Sequence, residues 1–321
     1  MKNLDTTIYV AGHTGMVGSA ILRQLHEMGY RNLITRGREE LDLRRQTDVD
    51  EFFQDQRPDV VIIAAGLVGG ILANSTRPAE FIYDNMCINL NIVESVRKYD
   101  SSKLLYLSSN CIYPRNSPQP MKESYLCDGK MEDTNVWYGT AKYAGIRVCE
   151  AYRKQYGIDL ISAIPASVYG HGDNFDPAQS HVIPALIHKI YEANRRGLEI
   201  CQIWGSGRSR REFIHSDDLG SAVVFLLKNY SEDEPINIGV GNDITVLEVA
   251  HMIRDIIAPS LEFSCDSSMP DGVHQKMLDS SKIEKLGWSP KKSFTDGLTD
   301  TVEWYVSRRK SGEHIRGLYH I

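Results

Sequence analysis

Four side chains in this sequence have the types and spacing for acid–base chemistry. Tyr138 and Lys142 stand at i and i+4 in "NVWYGTAKYAG", so a helix there presents both on one face. An ammonium beside a phenol favours the phenolate and lowers its pKa toward the working range of a proton donor. In "LLYLSSNCIYP", Ser109 and Cys111 stand two apart where an apolar run gives way to polar residues. Extended backbone sends i and i+2 to the same side, so a hydroxyl and a thiol would face one space. A thiolate is a competent base where a cation or hydrogen bonds stabilise it. Taken singly, each residue has an ordinary structural explanation, since the chain has 16 tyrosines and a cysteine at a strand end is usually packing.

What gives these residues meaning is the set of elements that would hold them. Short apolar runs ("TIYVAG", "NLITRG", "DVVIIAAG", "KLLYLSS", "DLISAIPASVYG") alternate with helix-period stretches such as "MVGSAILRQLHEMG". Continuous apolar strands between helices are what a parallel sheet covered on both faces requires. The pattern predicts an α/β fold, a doubly wound parallel (Rossmann) sheet over residues 1–170. From about residue 171 the rhythm loosens, which predicts a smaller C-terminal substrate-binding α/β domain, 171–321, with segments returning to the first. Such sheets bind ligands at the carboxyl ends of their strands.

The first strand-to-helix junction carries Gly12, Gly15 and Gly18 as GxxGxxG in "YVAGHTGMVGSA". Glycine is needed where backbone bends sharply and approaches a pyrophosphate, and the helix N-terminus supplies N–H groups for that anion. The next strand ends in "ITRGREELDL". An NAD site would place a carboxylate there, whereas Arg36 and Arg38 suit a 2′-phosphate. NADP is therefore the expected cofactor, with Asp42 on the adenine side.

The net charge of -6 comes from mixed charges along 321 residues, so no nucleic-acid footprint and no polybasic membrane segment is expected. No run reaches the roughly 18 apolar residues of a transmembrane helix. The six cysteines are scattered without a CxxC pair, as in reduced proteins. "MKNLDTTIYVAG" passes straight into a strand, leaving no room for a secretory signal. A cytoplasmic location is expected, and no metal site.

Gly12-x-x-Gly15-x-x-Gly18, Ser109 and Tyr138-x-x-x-Lys142 resemble the extended short-chain dehydrogenase/reductase superfamily over essentially the whole chain. More narrowly, "AGHTGMVGSA", "VGGILAN", "FIYDNM", "CIYP", "GDNFDPAQSHVIPAL" and "WGSGRSRREFIHSDDL" resemble the GDP-L-fucose synthases, the GDP-4-keto-6-deoxymannose 3,5-epimerase/4-reductases. The resemblance implies that Ser109 and Tyr138 bind the 4-keto oxygen, that Tyr138 delivers a proton, and that Lys142 holds the nicotinamide ribose while hydride passes from NADPH to C4. A 4-ketone also acidifies the hydrogens on C3 and C5. Cys111 and His181 are then the base and acid that invert those centres, His181 as a charged imidazole poised near neutral pH.

By the same resemblance the cofactor touches His13, Thr14, Met16, Val17, Ala64, Ala65, Leu107, Pro165, Val168 and His181. The GDP-sugar touches Val68, Gly69, Asn110, Lys189, Trp204, Gly205, Arg211 and Lys276, with Arg208, Arg210 and His188 as further candidates. A homodimer is implied as well. Where those enzymes commonly read Thr-Asn this chain has Ala166 and Ser167, and Asn110 stands where a small residue is common. These departures keep open a C5-epimerase/C4-reductase or simple C4-reductase acting on another GDP-4-keto sugar, a 3,6-dideoxymannose (to GDP-colitose) or a heptose. A non-catalytic NADP or nucleotide-sugar sensor is the remaining alternative, and the presence of all five reactive residues opposes it.

Overall fold

The computed structural model describes residues 3–266, 268 and 272–318. The chain begins with β1 (Ile8–Ala11), α1 (Met16–Glu27), β2 (Leu33–Ile34), α2 (Gln46–Gln56), β3 (Val60–Ile63), α3 (Ile71–Thr76), α4 (Pro78–Lys98) and β4 (Lys103–Leu107). Then come α5 (Val136–Tyr156), β5 (Asp159–Pro165), β6 (Ser167–Tyr169), α6 (Val182–Arg195), β7 (Ile200–Trp204), β8 (Arg210–Arg211) and β9 (Phe213–His215). The remainder holds α7 (Ser216–Asn229), β10 (Ile236–Ile238), β11 (Ile244–Thr245), α8 (Val246–Ile257), β12 (Glu262–Asp266), β13 (Gln275–Lys276), α9 (Ser281–Lys285) and α10 (Phe294–Ser311).

Six strands form one parallel sheet in the order β10-β5-β4-β3-β1-β2. Every residue of β1 and β3 is buried, as a sheet covered on both faces demands, and the runs "IYVA" and "VVII" supply the apolar, largely β-branched side chains that suit it. From β1 the chain moves outward to β2, then returns to the other side of β1 as β3. The strand order therefore reverses between β1 and β3, and the crevice at their carboxyl ends is where an open α/β sheet receives a dinucleotide.

Two large apolar cores lie among the described residues, beside a small third cluster of Ala73, Phe81 and Tyr138. One surrounds the sheet and includes Ile8, Ile62, Leu105, Ile161, Leu219 and Ile238. The other joins α6, α8 and α10 through Ile187, Ile190, Val249, Ile253, Leu298 and Tyr305. Ala166 belongs to the sheet core, so its small side chain serves packing.

Glu212 ties the late segments together. Buried between β8 and β9, its carboxylate accepts N–H bonds from Val240 (2.7 Å), Gly241 (2.8 Å) and Leu278 (2.8 Å). Burial raises its pKa, and the three donors pull in the opposite direction. Glu212→Ala would leave three buried donors without partners, at roughly 1–3 kcal/mol each. Thermal unfolding should therefore shift down by about 6 °C or more at roughly 2–4 °C per kcal/mol, with Glu212→Gln losing less because it keeps one carbonyl. An unshifted melting curve for the alanine variant would show that this junction carries no stability.

Candidate active site

The glycine turn shows why its residue types are required. Gly12 has φ +85°, and a β-carbon there would lie 2.7 Å from Ala65 Cα, so the turn is wedged against the end of β3. A β-carbon at Gly18 would overlap the Gly12 carbonyl oxygen. Gly15 differs: it is the N-cap of α1 with no side-chain cap, and a β-carbon there would approach nothing closer than 3.3 Å. The first N–H groups of α1 are thus left for an anion. Nδ1 of His13, beside them, is buried without a hydrogen-bond partner. Thr14 is exposed, Val17 half-buried, and Met16 is buried. This cradle fits a dinucleotide pyrophosphate.

Arg36 and Arg38 follow β2 closely. Arg36 is braced, its guanidinium 5.7 Å from the Phe52 ring and donating to the Thr35 carbonyl (2.7 Å), while Arg38 is exposed. Both suit a phosphate. At Asp42, Arg44 grips both carboxylate oxygens (2.9 and 2.7 Å) and holds the pKa down to about 2.

At the carboxyl end of β4 the reactive residues come together. Lys142 is buried, and its Nζ donates to the Leu107 carbonyl (3.0 Å). Ser108 Oγ donates in turn to the Lys142 carbonyl (3.1 Å), which pins α5 to the strand end. Desolvation lowers the Lys142 pKa to about 8. Tyr138, one turn earlier on α5, is buried with its ring 5.9 Å from Nζ. Proximity of the ammonium was expected to favour the phenolate, but burial outweighs it. The Tyr138 pKa is raised by desolvation and by the charge of Cys111, and a hydrogen bond with Ser109 lowers it only in part. The group is a phenol at neutral pH.

The path from Ser109 to Cys111 also differs from the extended run expected. Asn110–Ile112 form a 3₁₀ turn whose N-cap is Ser109, the serine oxygen accepting from the Cys111 N–H (3.3 Å). Serine caps such turns readily, and the cap folds the chain back. Both side chains nevertheless reach Tyr138, Cys111 by packing against its cluster. Asn110 is buried, its Oδ1 3.9 Å from the sulfur.

Asn135 was not found by sequence reasoning. It is the N-cap of α5, yet makes no capping bond with its side chain. Its Nδ2 instead donates to Cys111 Sγ (3.2 Å), a donor that can remain once the sulfur has lost its proton. The available signal was an asparagine three residues before Tyr138, where an N-cap alone is the ordinary reading.

A loop after β3 links this centre to the other candidates. Asn85 clamps it, accepting from the Leu67 N–H (3.1 Å) and donating to the Leu67 carbonyl (3.0 Å). A β-carbon at Gly66 would lie 3.5 Å from Lys142 Nζ, and one at Gly69 would lie 3.3 Å from Phe81, whose ring meets Tyr138 edge-on. The Gly70 N–H donates to the Gln179 carbonyl (2.9 Å), which places the loop beside His181, the N-cap of α6. Further on, Ile71 and Arg211 both flank Gly272. Val68 points out from this loop, exposed.

His181 is open to water but set among protein walls, and desolvation lowers its pKa. That desolvation favours the neutral imidazole over the charged one. Lys189 Nζ stands 5.1 Å from the exposed Trp204 ring and donates to the Gln202 carbonyl (2.9 Å). Gly205 follows with φ +71°. Arg211 and the buried Lys276 are register partners across β8 and β13. Arg210 is committed to Asp243 (2.7 Å) and His188 to the Tyr305 hydroxyl (2.8 Å), so both serve structure. Ala64 follows β3 and Pro165 ends β5, both at the carboxyl end of the parallel sheet, while Val168 lies in β6, which pairs with β9. Asp271 lies outside the described residues. Among those described, no His, Cys, Asp and Glu group is arranged to hold a metal.

The chain belongs to the NAD dependent epimerase/dehydratase family, whose profile matches residues 8–239. Within it, the sequence is 47% identical over 306 residues to GDP-L-fucose synthase 1 of Arabidopsis thaliana, spanning 95% of each chain. It is 33% identical over 306 residues to GDP-L-colitose synthase of Yersinia pseudotuberculosis, 95% of this chain and 99% of that one. Among solved structures it is similar to a GDP-mannoheptose C4 reductase from Campylobacter jejuni with NADP bound, with TM-score 0.86, 34% identity, and 95% and 100% of the two chains covered.

A lysine held near pKa 8 makes a measurable claim. Its ammonium is present below that pH and lost above it, so kcat/KM for NADPH should hold a plateau below pH about 8 and fall above it. Lys142→Arg keeps the charge to high pH and should abolish the falling limb while lowering the plateau. A limb that persists in the arginine variant belongs to another group.

Proposed function

We propose that this chain is an NADPH-dependent GDP-4-keto-6-deoxy-D-mannose 3,5-epimerase/4-reductase, forming GDP-L-fucose. The observation that carries the reading is the convergence of Ser109, Cys111 and Tyr138 beside buried Lys142. The margin between 47% identity to a GDP-L-fucose synthase and 33% to a GDP-L-colitose synthase supports this sugar over the dideoxy one.

In this reading Ser109 and Tyr138 hold the 4-keto oxygen. NADPH, when bound, supplies the hydride to C4. Tyr138, kept protonated by burial, gives its proton to the oxygen as hydride arrives. Lys142 carries the positive charge that steadies the oxyanion and holds the nicotinamide ribose. Before reduction, the polarised ketone makes C3–H and C5–H labile, and Cys111, oriented by Asn135, exchanges protons there with His181 acting from the loop opposite. Gly12 to Gly18, Arg36 and Arg38 hold the cofactor; Lys189, Trp204, Gly205, Arg211 and Lys276 hold the GDP end. NADP rather than NAD is favoured by the two arginines.

A second reading, a C4-reductase for a GDP-heptose, is favoured by the likeness to the Campylobacter enzyme. Turnover of GDP-4-keto-6-deoxymannose with NADPH in heavy water separates them. Deuterium at C3 and C5 of the product is expected, and product without either label would overturn the epimerase reading. Tyr138→Phe should cut reduction at least about 100-fold while exchange persists. Cys111→Ser should damage exchange more than hydride transfer, and equal losses would refute separate roles.

We also infer a division near residue 170 into a nucleotide-binding and a substrate-binding unit, a cytoplasmic setting, and a homodimer. The unpaired state of all six cysteines supports the setting, and no described helix is long and apolar enough to cross a membrane. Tyr83 and Leu90 on α4, both exposed, lie on one helical stripe and support pairing through that face. Sedimentation should give twice the chain mass for the wild type and less for Leu90→Glu; a monomeric wild type would overturn the dimer.

A further inference from the structure

Arg316 stands outside every motif that pointed to the cofactor. It follows α10 in a turn closed by the Leu318 N–H donating to the Ile315 carbonyl (3.1 Å), and Ile315 is anchored in the second core. The Phe175 N–H donates to the Arg316 carbonyl (2.9 Å). Gly317, at φ +84°, is pressed against Asn174 and Asp176, so that a β-carbon would come 2.5 Å from the Asp176 nitrogen. The backbone of Arg316 is thereby fixed onto the segment that runs on to His181.

Its side chain, in contrast, is exposed and makes no hydrogen bond or ion pair among the described residues. Buried Asp173 feels its charge without pairing with it. Nη1 instead reaches the mouth of the glycine turn, where a β-carbon on Gly15 would lie 3.9 Å away. Gly15 is the uncapped N-cap of α1, and the first turn of that helix holds no acidic residue. Two electropositive groups, a helix N-terminus and a guanidinium, therefore face one small space, and no carboxylate among the described residues is hydrogen-bonded to either. They repel each other, and an anion placed there is favoured by both.

We propose that Arg316 is a binding residue for the cofactor pyrophosphate, closing the glycine turn from the C-terminal segment. This deepens the NADPH-dependent reading and rests on it. The pyrophosphate then joins α1 to the segment 173–181, and cofactor binding steadies the loop on which His181 stands.

Equilibrium dissociation constants for NADPH and NADH, measured by fluorescence titration, test the assignment. Arg316→Gln should weaken both dinucleotides by a similar factor of about 10 to 100, the range for one charge-assisted bond, because both carry the pyrophosphate. Arg316→Lys should recover part of the loss. Arg36→Ala, the comparator, should weaken NADPH far more than NADH. Unchanged affinity in Arg316→Gln would overturn the proposal, as would a loss confined to NADPH, which would put Arg316 on the 2′-phosphate. A wild-type protein that bound neither dinucleotide would instead sink the NADPH reading itself.

Discussion

A buried ammonium governs the rest of this structure. Lys142 lies in the protein with the Leu107 carbonyl and the face of the Tyr106 ring, 5.1 Å from Nζ, as its neighbours. Desolvation disfavours its charge, and one carbonyl with the Tyr106 and Tyr138 ring faces offsets that only partly. The charge is therefore held in reserve, available to whatever anion develops beside it. The same burial keeps Tyr138 a phenol. A buried acid that stays protonated next to a cation that is poorly solvated is an unfavourable ground state, and it becomes favourable when an oxyanion forms between them. The strand end that positions this pair is consequently tightly made: Ser108 and Tyr106 both donate to the Lys142 carbonyl.

From that pair the site extends in one direction along the loop after β3. Gly66, Gly69 and Gly70 are small because neighbours crowd each of them: Asn85 and Lys142 at the first, Phe81 and Ala73 at the second, the Ser180 carbonyl at the third. The loop is thus a spacer of fixed shape between the phenol and the Arg211 end. An elongated substrate with a reactive sugar at one end and a charged nucleotide at the other matches that layout better than a compact one would.

Much of this was legible in the sequence because the signals were local. The alternation of apolar runs and helical stretches specified a parallel sheet, and GxxGxxG at its first turn located the crevice between β1 and β3. Tyr138 and Lys142 required only helical spacing. What escaped was set by long-range packing. Burial, which reverses the expected direction of the Tyr138 pKa, depends on Phe81 and the loop after β3. Asn135 reads as a helix cap until the structure turns its amide to sulfur. Arg44 takes Asp42, Asp243 takes Arg210 and Tyr305 takes His188, and none of these pairings has a sequence period.

The lowered pKa of His181 sharpens the division of labour. Desolvation lowers its pKa and so favours the uncharged imidazole, the form that accepts a proton. The Cys111 sulfur, by contrast, accepts from the Asn135 amide, a donor that keeps it oriented. The proposed inversion needs one donor and one acceptor, and in that reading these two groups supply both. In the proposed inversion, the exposure of His181 to water suits it to exchange protons with solvent. The half-buried Cys111, packed against Tyr138, is in the proposed reaction the member of the pair more shielded from that exchange.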